Sequence, residues 1–512
     1  MTAAERTIVA ISSMLRPGAR SRCVAVAVAV LCLAVSGTAP ASAASKPEQD
    51  EKAAKGEKAA KAKAAKAPAE WDEQIAPIAH DVEDIRGLSF EHPVAVEYLD
   101  DAKFRKRVTD DSDESEQDVA DEQRAEAQLR AVGLIAADVD LGDATDAAAE
   151  TGVLAYYDTE TDKVTVRGKQ LDAMMKVTLA HELTHALDDQ HFDLDALDRA
   201  ADKAHATTVL DALVEGNATR VEDEYVQRLP DDERDEYESG RSDTGASIEE
   251  EHDAADIPAA VDVFFGSPYF LGVQMVQVAA HDGGNESVDG LFGDPPRSEL
   301  AFIDAGTVAS TQVPFAVPPP PIEEGERRSG RRDSFGAFAL YLMLSTAMNP
   351  AAAFDAVRGW GGDAMVTVKR GDETCVRANF TGQDADASAA ITSALQQWSA
   401  NGAHPSSTVT TAGPVTTLLT CDGDAPATDP AAPLNGAVGT LQLRNDLLLS
   451  GLHAGVERRV IECTANAVIR APEFAAYRDD RVASPAADPA TDVLERMQRA
   501  VQRSATDCRR QV

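Results

Sequence analysis

Basic residues are scarce in this chain: 48 lysines and arginines stand against 87 aspartates and glutamates, and the formal net charge is −39. Nucleic acid is therefore excluded as an expected partner, because binding to phosphate groups needs positive charge. An acidic surface mainly keeps an exported protein soluble, so the charge identifies no substrate. What the chain binds must be inferred from a site instead.

Long apolar runs are rare as well. After the N-terminal region no segment approaches 18 uninterrupted apolar residues, so we expect no stable membrane span in the mature chain. The early apolar run, residues 24–35, follows several arginines and precedes Ala-Pro-Ala-Ser-Ala, which is typical of a secretory signal peptide. We expect residues 1–44 to form this signal, with cleavage near Ala43. The mature protein is then secreted, either free outside the cell or at a bacterial cell envelope.

Cysteine is also infrequent, and two of the six cysteines, Cys23 and Cys32, lie in the predicted signal. An even set of four in the rest of an exported chain favours two disulfides. No C-x-x-C pair occurs, so a cysteine zinc site is not favoured. Three connectivities are open, of which the most local joins Cys375 to Cys421 and Cys463 to Cys508.

The composition divides the remaining chain into three parts. Residues 45–70 are rich in lysine and alanine and have almost no large apolar side chains, so we predict a disordered linker. Residues 71–350 form a first domain, which includes an acidic, exposed excursion over residues 230–256. Residues 351–512 alternate strand and helix patterns and hold the four cysteines, which predicts a small disulfide-containing α+β module. The oligomeric state stays open.

A hairpin and two helices are predicted within the first domain. Residues 153–167 contain two β-rich runs around a polar Asp-Thr-Glu-Thr-Asp turn, which is typical of a hairpin. A helix follows over residues 171–189, and a second is predicted over residues 201–229. The hairpin should therefore present a strand edge close to the first helix. That edge either takes up an extended peptide as an added strand or only packs on the helix.

The first helix contains the motif His181-Glu182-x-x-His185. Positions i and i+4 lie one turn apart on the same face of a helix, so both imidazoles can bind one metal ion. The intervening Glu182 then lies beside the open coordination position, where it can act as a general base on water bound to the metal. We predict a Zn²⁺ site with His181 and His185 as ligands.

The third protein ligand has two candidates, because a catalytic zinc site needs three and a free fourth position. His191 has the spacing of a metzincin, but Asp188 replaces the glycine that lets that chain turn sharply out of its helix. Glu215, in the second helix, can point back to the first, and we favour it because nothing breaks the first helix where a metzincin requires it. Asp211, one turn before Glu215, could hold the second nitrogen of a ligand histidine.

The run His-Glu-Leu-Thr-His-Ala-Leu-Asp-Asp-Gln-His-Phe, the Tyr-Tyr-Asp hairpin and the later Leu-Val-Glu-Gly-Asn-Ala segment together resemble gluzincin-type zinc metallopeptidases, in particular a poorly characterised exported bacterial group. The resemblance covers about residues 90–365. It implies an α+β, mainly helical zincin-like catalytic domain with a small β-hairpin or sheet edge. It further implies His181, His185 and Glu215 as zinc ligands and Glu182 as the general base.

The function predicted from these features is an exported zinc-dependent endopeptidase with a protein or peptide substrate. One alternative is a catalytically silent cell-envelope binding or scaffold protein that retains a zincin fold, although a structural metal site has no need of Glu182. Another is a latent peptidase whose C-terminal module covers the cleft. A further donor should stabilise the oxyanion, and the sequence does not choose among Tyr157, His205, Arg220 and Tyr225.

Overall fold

A computed structural model describes residues 67–109, 116–169, 171–310, 312–401, 404–483 and 491–511. Of the residues that it describes, 61% are helical and two small sheets complete the fold, which confirms the predicted α+β, mainly helical fold class. The predicted signal peptide and most of the predicted linker lie outside the described residues.

The helices and strands are numbered in chain order over the described residues. The helices are α1 Ala76–Arg86, α2 Asp101–Val108, α3 Glu116–Ala131, α4 Leu141–Gly152, α5 Ala173–Phe192, α6 Leu194–Ala204, α7 Thr207–Arg228, α8 Asp231–Ala254, α9 Ala259–Gly293, α10 Leu300–Ile303, α11 Ala337–Ser345, α12 Pro350–Val357, α13 Ala385–Ala400, α14 Ala431–His453, α15 Arg458–Ile469, α16 Pro472–Ala483 and α17 Thr491–Gln511. The strands are β1 Ala95–Leu99, β2 Ala155–Asp158, β3 Lys163–Arg167, β4 Arg327–Asp333, β5 Trp360–Arg370, β6 Glu373–Gly382, β7 Thr408–Ala412 and β8 Val415–Cys421.

The three-stranded sheet has the order β1-β3-β2, and it contains the predicted hairpin. β2 pairs antiparallel with β3, with Tyr157 opposite Val164, and β1 pairs parallel with β3 on its other side. The β2 side chains alternate between buried and half-buried positions, as expected for a strand with one face on a core. β2 is therefore an edge strand, and its buried face packs on α5.

α5 carries the His181–His185 motif and runs without a break past Asp188 to Phe192. Asp172 caps its N-terminus by accepting the backbone N–H of Met175 at 2.9 Å. Asp193 closes its C-terminus in the left-handed region, with φ of 53°. Most of the helix is buried, so it forms the centre of the domain and gives the motif rigid backbone support.

α7 and α9 cross in direct backbone contact beside the motif helix. A Cβ at Gly216 would lie 2.3 Å from the carbonyl carbon of Gly272, and a Cβ at Gly272 would lie 2.2 Å from the carbonyl oxygen of Ala212. Only glycine permits this approach, since real Cβ atoms essentially never come within 3.0 Å of another heavy atom. The crossing brings α9 residues next to Glu215.

Two predicted elements differ from the structure in their boundaries. The helix expected over residues 201–229 is divided into α6 and α7, because His205 takes the left-handed region with φ of 54° and ends α6. The segment predicted as an exposed acidic excursion forms α8. Tyr237 in α8 is buried with 5% of its surface exposed, and Lys176 of α5 pairs with Glu233 at 2.7 Å. This side of α8 is thus packed on the motif helix.

The second sheet has the order β4-β5-β6-β8-β7 and spans the predicted domain boundary at residue 350, since β4 precedes it and β5 follows it. One hydrophobic cluster likewise includes Leu213 of α7, Phe380 of β6 and Met497 of α17. The division of the chain at residue 350 stays a prediction, but the two parts share a core.

The two disulfides join Cys375 to Cys421 and Cys463 to Cys508, which is the most local of the three connectivities. Cys375 and Cys421 face one another on the paired strands β6 and β8. The second disulfide connects α15 to α17. Each closes a loop of similar length in the C-terminal third.

Among the described residues, one helix, α9, is long and apolar enough by length and composition to cross a membrane. In its most apolar window 61% of the residues are buried inside the protein. The helix packs against α7 and α14, and a kink at Gly283 and Gly284 interrupts its helical geometry. This burial is typical of a core helix.

Candidate metal centre

Three candidate ligands meet where α5 faces α7. The Oε2 atom of Glu215 lies 3.2 Å from His181 Nε2 and 3.3 Å from His185 Nε2. The potential ligand atoms of all three residues lie within 4.8 Å of one another. The helical spacing of the two histidines accounts for their shared face, and the close crossing of α7 brings the carboxylate to them.

The geometry of this cluster fits a tetrahedral zinc ion. Ligand atoms bound at 2.0–2.2 Å around a tetrahedral centre lie about 3.4 Å from each other. The two distances from Glu215 to the imidazole nitrogens are close to that value. The side chains of His181, His185 and Glu215 are 8, 11 and 20% exposed, so water can still reach the cluster. The residues therefore fit a metal with one position open to solvent.

A second group of potential ligands among the described residues consists of Glu373, Cys375 and Cys421. Its two cysteines are joined in a disulfide, so neither can supply the thiolate that binds a metal. The donor chemistry therefore favours the histidine-containing cluster.

The charges of the cluster stabilise each other strongly. Burial lowers the pKa of His181, but the hydrogen bonds that His181 donates to Glu215 and Glu222 outweigh it and raise that pKa to about 10. Burial acts against ionisation of Glu215 as well, but the two histidines lower the pKa of Glu215 to about 2. An imidazolium paired with carboxylates is thus the stable form without a metal, and a metal ion must displace its proton.

Glu182 is held by the edge strand of the hairpin sheet. Its Oε2 atom accepts the backbone N–H of Tyr157 at 2.8 Å, and the side chain is buried beside both histidines. Burial raises the pKa of Glu182, and the positive charge of His185 and His181 acts in the opposite direction. The Tyr157 N–H therefore holds the carboxylate in a fixed orientation.

Glu222 holds the second nitrogen of His181. Its Oε2 atom lies 3.0 Å from His181 Nδ1, and its Oε1 atom accepts the hydroxyl of Tyr237 at 3.2 Å. A carboxylate in this position fixes the tautomer of a ligand histidine, so that Nε2 presents its lone pair to a metal. The role suggested for Asp211 in the sequence is therefore filled, for His181, by Glu222.

The Nδ1 atom of His185 is buried, and it has no hydrogen-bond partner within the described part of the chain. Three residues later on the same helix, Asp188 is 0% exposed and accepts hydrogen bonds from Arg86 Nε at 2.9 Å and Asn217 Nδ2 at 2.6 Å. Arg86 is itself fully buried, and its guanidinium carbon lies 5.7 and 5.6 Å from the ring centroids of Phe192 and Phe292, which stack on each other. This buried ion pair anchors α5 to α1.

Tyr269 of α9 is the aromatic residue beside the cluster. Its ring stacks on His181 with centroids 5.9 Å apart and an interplanar angle of 28°, and its hydroxyl is hydrogen-bonded to Glu215. Burial and the charges of Glu215 and Glu182 raise the pKa of Tyr269 well above its usual range. The hydroxyl therefore keeps its proton and donates a hydrogen bond to the Glu215 carboxylate.

The structure does not bring His191 to the cluster. Because α5 continues to Phe192, His191 stays on the exposed end of the helix, where its Nε2 lies 2.9 Å from the Ser89 carbonyl oxygen. His191 stays away from the cluster because the helix continues through Asp188 instead of turning out of its path there. The sequence favours Glu215 over His191 for the same reason.

Three of the four residues considered for the oxyanion have other partners, and the fourth, Tyr225, lines a cavity. The hydroxyl of Tyr157 is bonded to Asp189 at 3.0 Å, and His205 is paired with Asp333. Arg220 is held by the side-chain oxygens of two asparagines, and Tyr225 lines a different cavity beside Lys176 and Leu229.

Sequence reasoning missed Glu222 and Tyr269, and only one of them had a usable signal. Glu222 follows Glu215 by seven residues, so the two lie two turns apart on the same face of a helix. Tyr269 comes from a helix whose position depends on the tertiary contact between Gly216 and Gly272, which no local pattern indicates.

Comparisons with protein-family models, with curated proteins and with solved structures find no match to this chain. The resemblance to gluzincins thus stays a prediction from the motif residues. The chemistry that the chain supports has to be argued from the geometry of the cluster.

Proposed function

We propose that this chain is an exported zinc-dependent peptidase that hydrolyses peptide bonds with activated water. The observation that carries the proposal is the meeting of His181, His185 and Glu215 from two helices. Glu182 lies between the two histidines along α5. A structural metal site needs no carboxylate base between its ligands, whereas a water-activating site does.

His181 and His185 would hold Zn²⁺ through Nε2 and Glu215 through a carboxylate oxygen, with a fourth position free. When bound, the ion would polarise the carbonyl of the scissile peptide and lower the pKa of a neighbouring water. Glu182 accepts a proton from that water as its oxygen bonds to the carbonyl carbon. Glu182 then passes the proton to the amide nitrogen as the carbon–nitrogen bond breaks, which releases a carboxylic acid and an amine.

An extended peptide is the substrate class that the surroundings of Glu182 favour. β2 is an edge strand, and its Tyr157 N–H contacts Glu182 directly. A peptide added along such an edge is aligned by main-chain hydrogen bonds, which depend little on its sequence. We therefore propose endopeptidase activity on extended segments of proteins. A β2 strand that only packs on α5 is the alternative.

Export is proposed on two grounds. The predicted signal peptide directs the chain out of the cytosol. The two disulfides, Cys375–Cys421 and Cys463–Cys508, are of the kind that persists in oxidising compartments.

The substitution Glu182→Gln tests the proposed mechanism. Glutamine keeps an oxygen that can accept the Tyr157 N–H, so the local structure should persist, but it cannot take a proton from water. We expect cleavage of an unfolded protein substrate by the zinc-loaded enzyme to fall by about 10²- to 10⁴-fold, with zinc binding retained. Glu160→Gln, at an exposed glutamate in the β2–β3 turn, is the matched control and should cleave like the wild type.

Full proteolytic activity in Glu182→Gln would show that the mechanism is wrong. A wild-type protein that binds one zinc ion at this cluster but cleaves no protein or peptide would favour the silent binding or scaffold protein instead.

A further inference from the structure

Tyr269 contacts two of the three candidate zinc ligands at once. Its hydroxyl is hydrogen-bonded to the Glu215 carboxylate, and its ring lies against the His181 ring at 28° with centroids 5.9 Å apart. We propose that Tyr269 is a positioning residue that orients Glu215 and His181 for zinc. This inference rests on the zinc centre proposed above and assigns a residue from a third helix to it.

The backbone around Tyr269 is well suited to hold a side chain in place. The residue is 1% exposed, and Pro268 precedes it within the helix. One turn later, Gly272 is in backbone contact with Gly216, the neighbour of Glu215. Because that crossing leaves no space for a Cβ, the distance between the Tyr269 and Glu215 backbones is fixed by direct contact rather than by adaptable side chains.

The hydroxyl of Tyr269 has a different kind of partner from that of an ordinary core tyrosine. Tyr341 is equally buried, and its hydroxyl donates to a backbone carbonyl, that of Ala437, at 2.8 Å. The Tyr269 hydroxyl donates instead to a carboxylate that is a candidate ligand. A hydrogen bond to a ligating carboxylate fixes which oxygen faces the metal, and loss of such a partner typically weakens metal binding by about 10- to 100-fold.

The assignment differs from a role in stabilising the oxyanion. A hydroxyl that acts on the substrate changes the rate of hydrolysis and leaves zinc affinity unchanged. A hydroxyl that orients Glu215 changes zinc affinity in the absence of any substrate. Zinc binding to the substrate-free protein therefore separates the two roles.

The test compares Tyr269→Phe with Tyr341→Phe in the full-length protein. Both substitutions keep the ring and remove one buried hydroxyl, so both should lower stability in urea to a similar degree. Zinc affinity is measured by competition with a chelator, and the visible spectrum of the Co²⁺-substituted protein reports the geometry of the ligands. We expect Tyr269→Phe to weaken zinc binding by about 10- to 100-fold and to change the Co²⁺ spectrum. Tyr341→Phe should match the wild type in both measurements.

A double-mutant cycle with Glu215→Gln tests whether the hydroxyl acts through Glu215. If it does, Tyr269→Phe should have a much smaller effect on zinc affinity in the Glu215→Gln background than in the wild type. An equal effect in both backgrounds would overturn the assignment to Glu215, and so would wild-type zinc affinity in Tyr269→Phe.

These outcomes are distinguishable from failure of the proposed function. A wild-type protein that binds zinc but cleaves nothing would refute the proposed peptidase activity. The role of Tyr269 could still be measured as zinc affinity. A wild-type protein that takes up neither zinc nor Co²⁺ would overturn both proposals.

Discussion

Replacing Gly216 with alanine changes the helix crossing at the metal centre without removing a candidate ligand. The new Cβ would lie 2.3 Å from the carbonyl carbon of Gly272 and 2.4 Å from its oxygen. Ordinary van der Waals contact begins at 3.4 Å. The backbones of α7 and α9 would therefore have to separate by about 1 Å, since neither contact is with a flexible side chain.

Two consequences of Gly216→Ala have magnitudes that can be worked out. Overpacking of this kind costs about 1–3 kcal/mol of unfolding free energy, and the better helix propensity of alanine offsets up to about 1 kcal/mol of it. Ligand distances in a zinc site must hold to within about 0.2 Å, so a displacement of about 1 Å at Glu215 should weaken zinc binding by at least about tenfold.

The assays for Gly216→Ala are urea unfolding of the metal-free protein and zinc affinity by chelator competition. Gly290→Ala is the matched control, because Gly290 lies in α9 and no atom would come within 4 Å of its Cβ. That variant should bind zinc like the wild type. Wild-type zinc affinity in Gly216→Ala would refute the inference that the crossing of α7 and α9 sets the position of Glu215.

Two further predictions concern buried carboxylates. Glu222→Gln removes the negative charge that holds His181 Nδ1, so zinc affinity in chelator competition should fall by about tenfold or more. Glu299 behaves differently, because burial raises its pKa to about 7 from an ordinary value of 4.5. The ionised form is the unfavourable one in the folded protein, so wild-type stability should fall as pH rises from about 4.5 through 7. Glu299→Gln should thus raise the unfolding free energy at pH 8 by up to about 3 kcal/mol and change it little at pH 4.5, as measured by urea unfolding at both pH values.

Each of these two predictions has a clear contrary result. Glu224→Gln is the control for Glu222, since Glu224 is on the same helix but pairs with Arg228 at the surface. Equal zinc affinities in the two variants would contradict the role of Glu222. For Glu299, the glutamine keeps an acceptor for the Phe338 N–H, so a Glu299→Gln variant that is less stable at pH 8 would contradict the assigned cause.

Local periodicity was sufficient to predict the elements that carry the motif. The i, i+4 spacing of His181 and His185 depends only on the helix, and the polar turn between two β-rich runs was enough for the hairpin of β2 and β3. The sequence predicted two disulfides but left three connectivities open, and the most local of them is found.

Features that depend on tertiary contacts could not be predicted from local periodicity. β4 has the sequence Arg-Arg-Ser-Gly-Arg-Arg-Asp, which has no apolar alternation, and it is a strand because β5 provides its hydrogen bonds. Arg86 and Asp188 form a buried pair across 102 residues of sequence. Tyr269 meets Glu215 only because Gly216 and Gly272 let two helices touch.

Location of the bound metal tests the central claim most directly. Anomalous diffraction at the zinc edge, from crystals grown with one equivalent of Zn²⁺, would place the ion relative to the protein atoms. We predict one site, with His181 Nε2, His185 Nε2 and a Glu215 carboxylate oxygen each at about 2.0–2.2 Å. An ion bound through His191, or no ion at His181 and His185, would contradict the account.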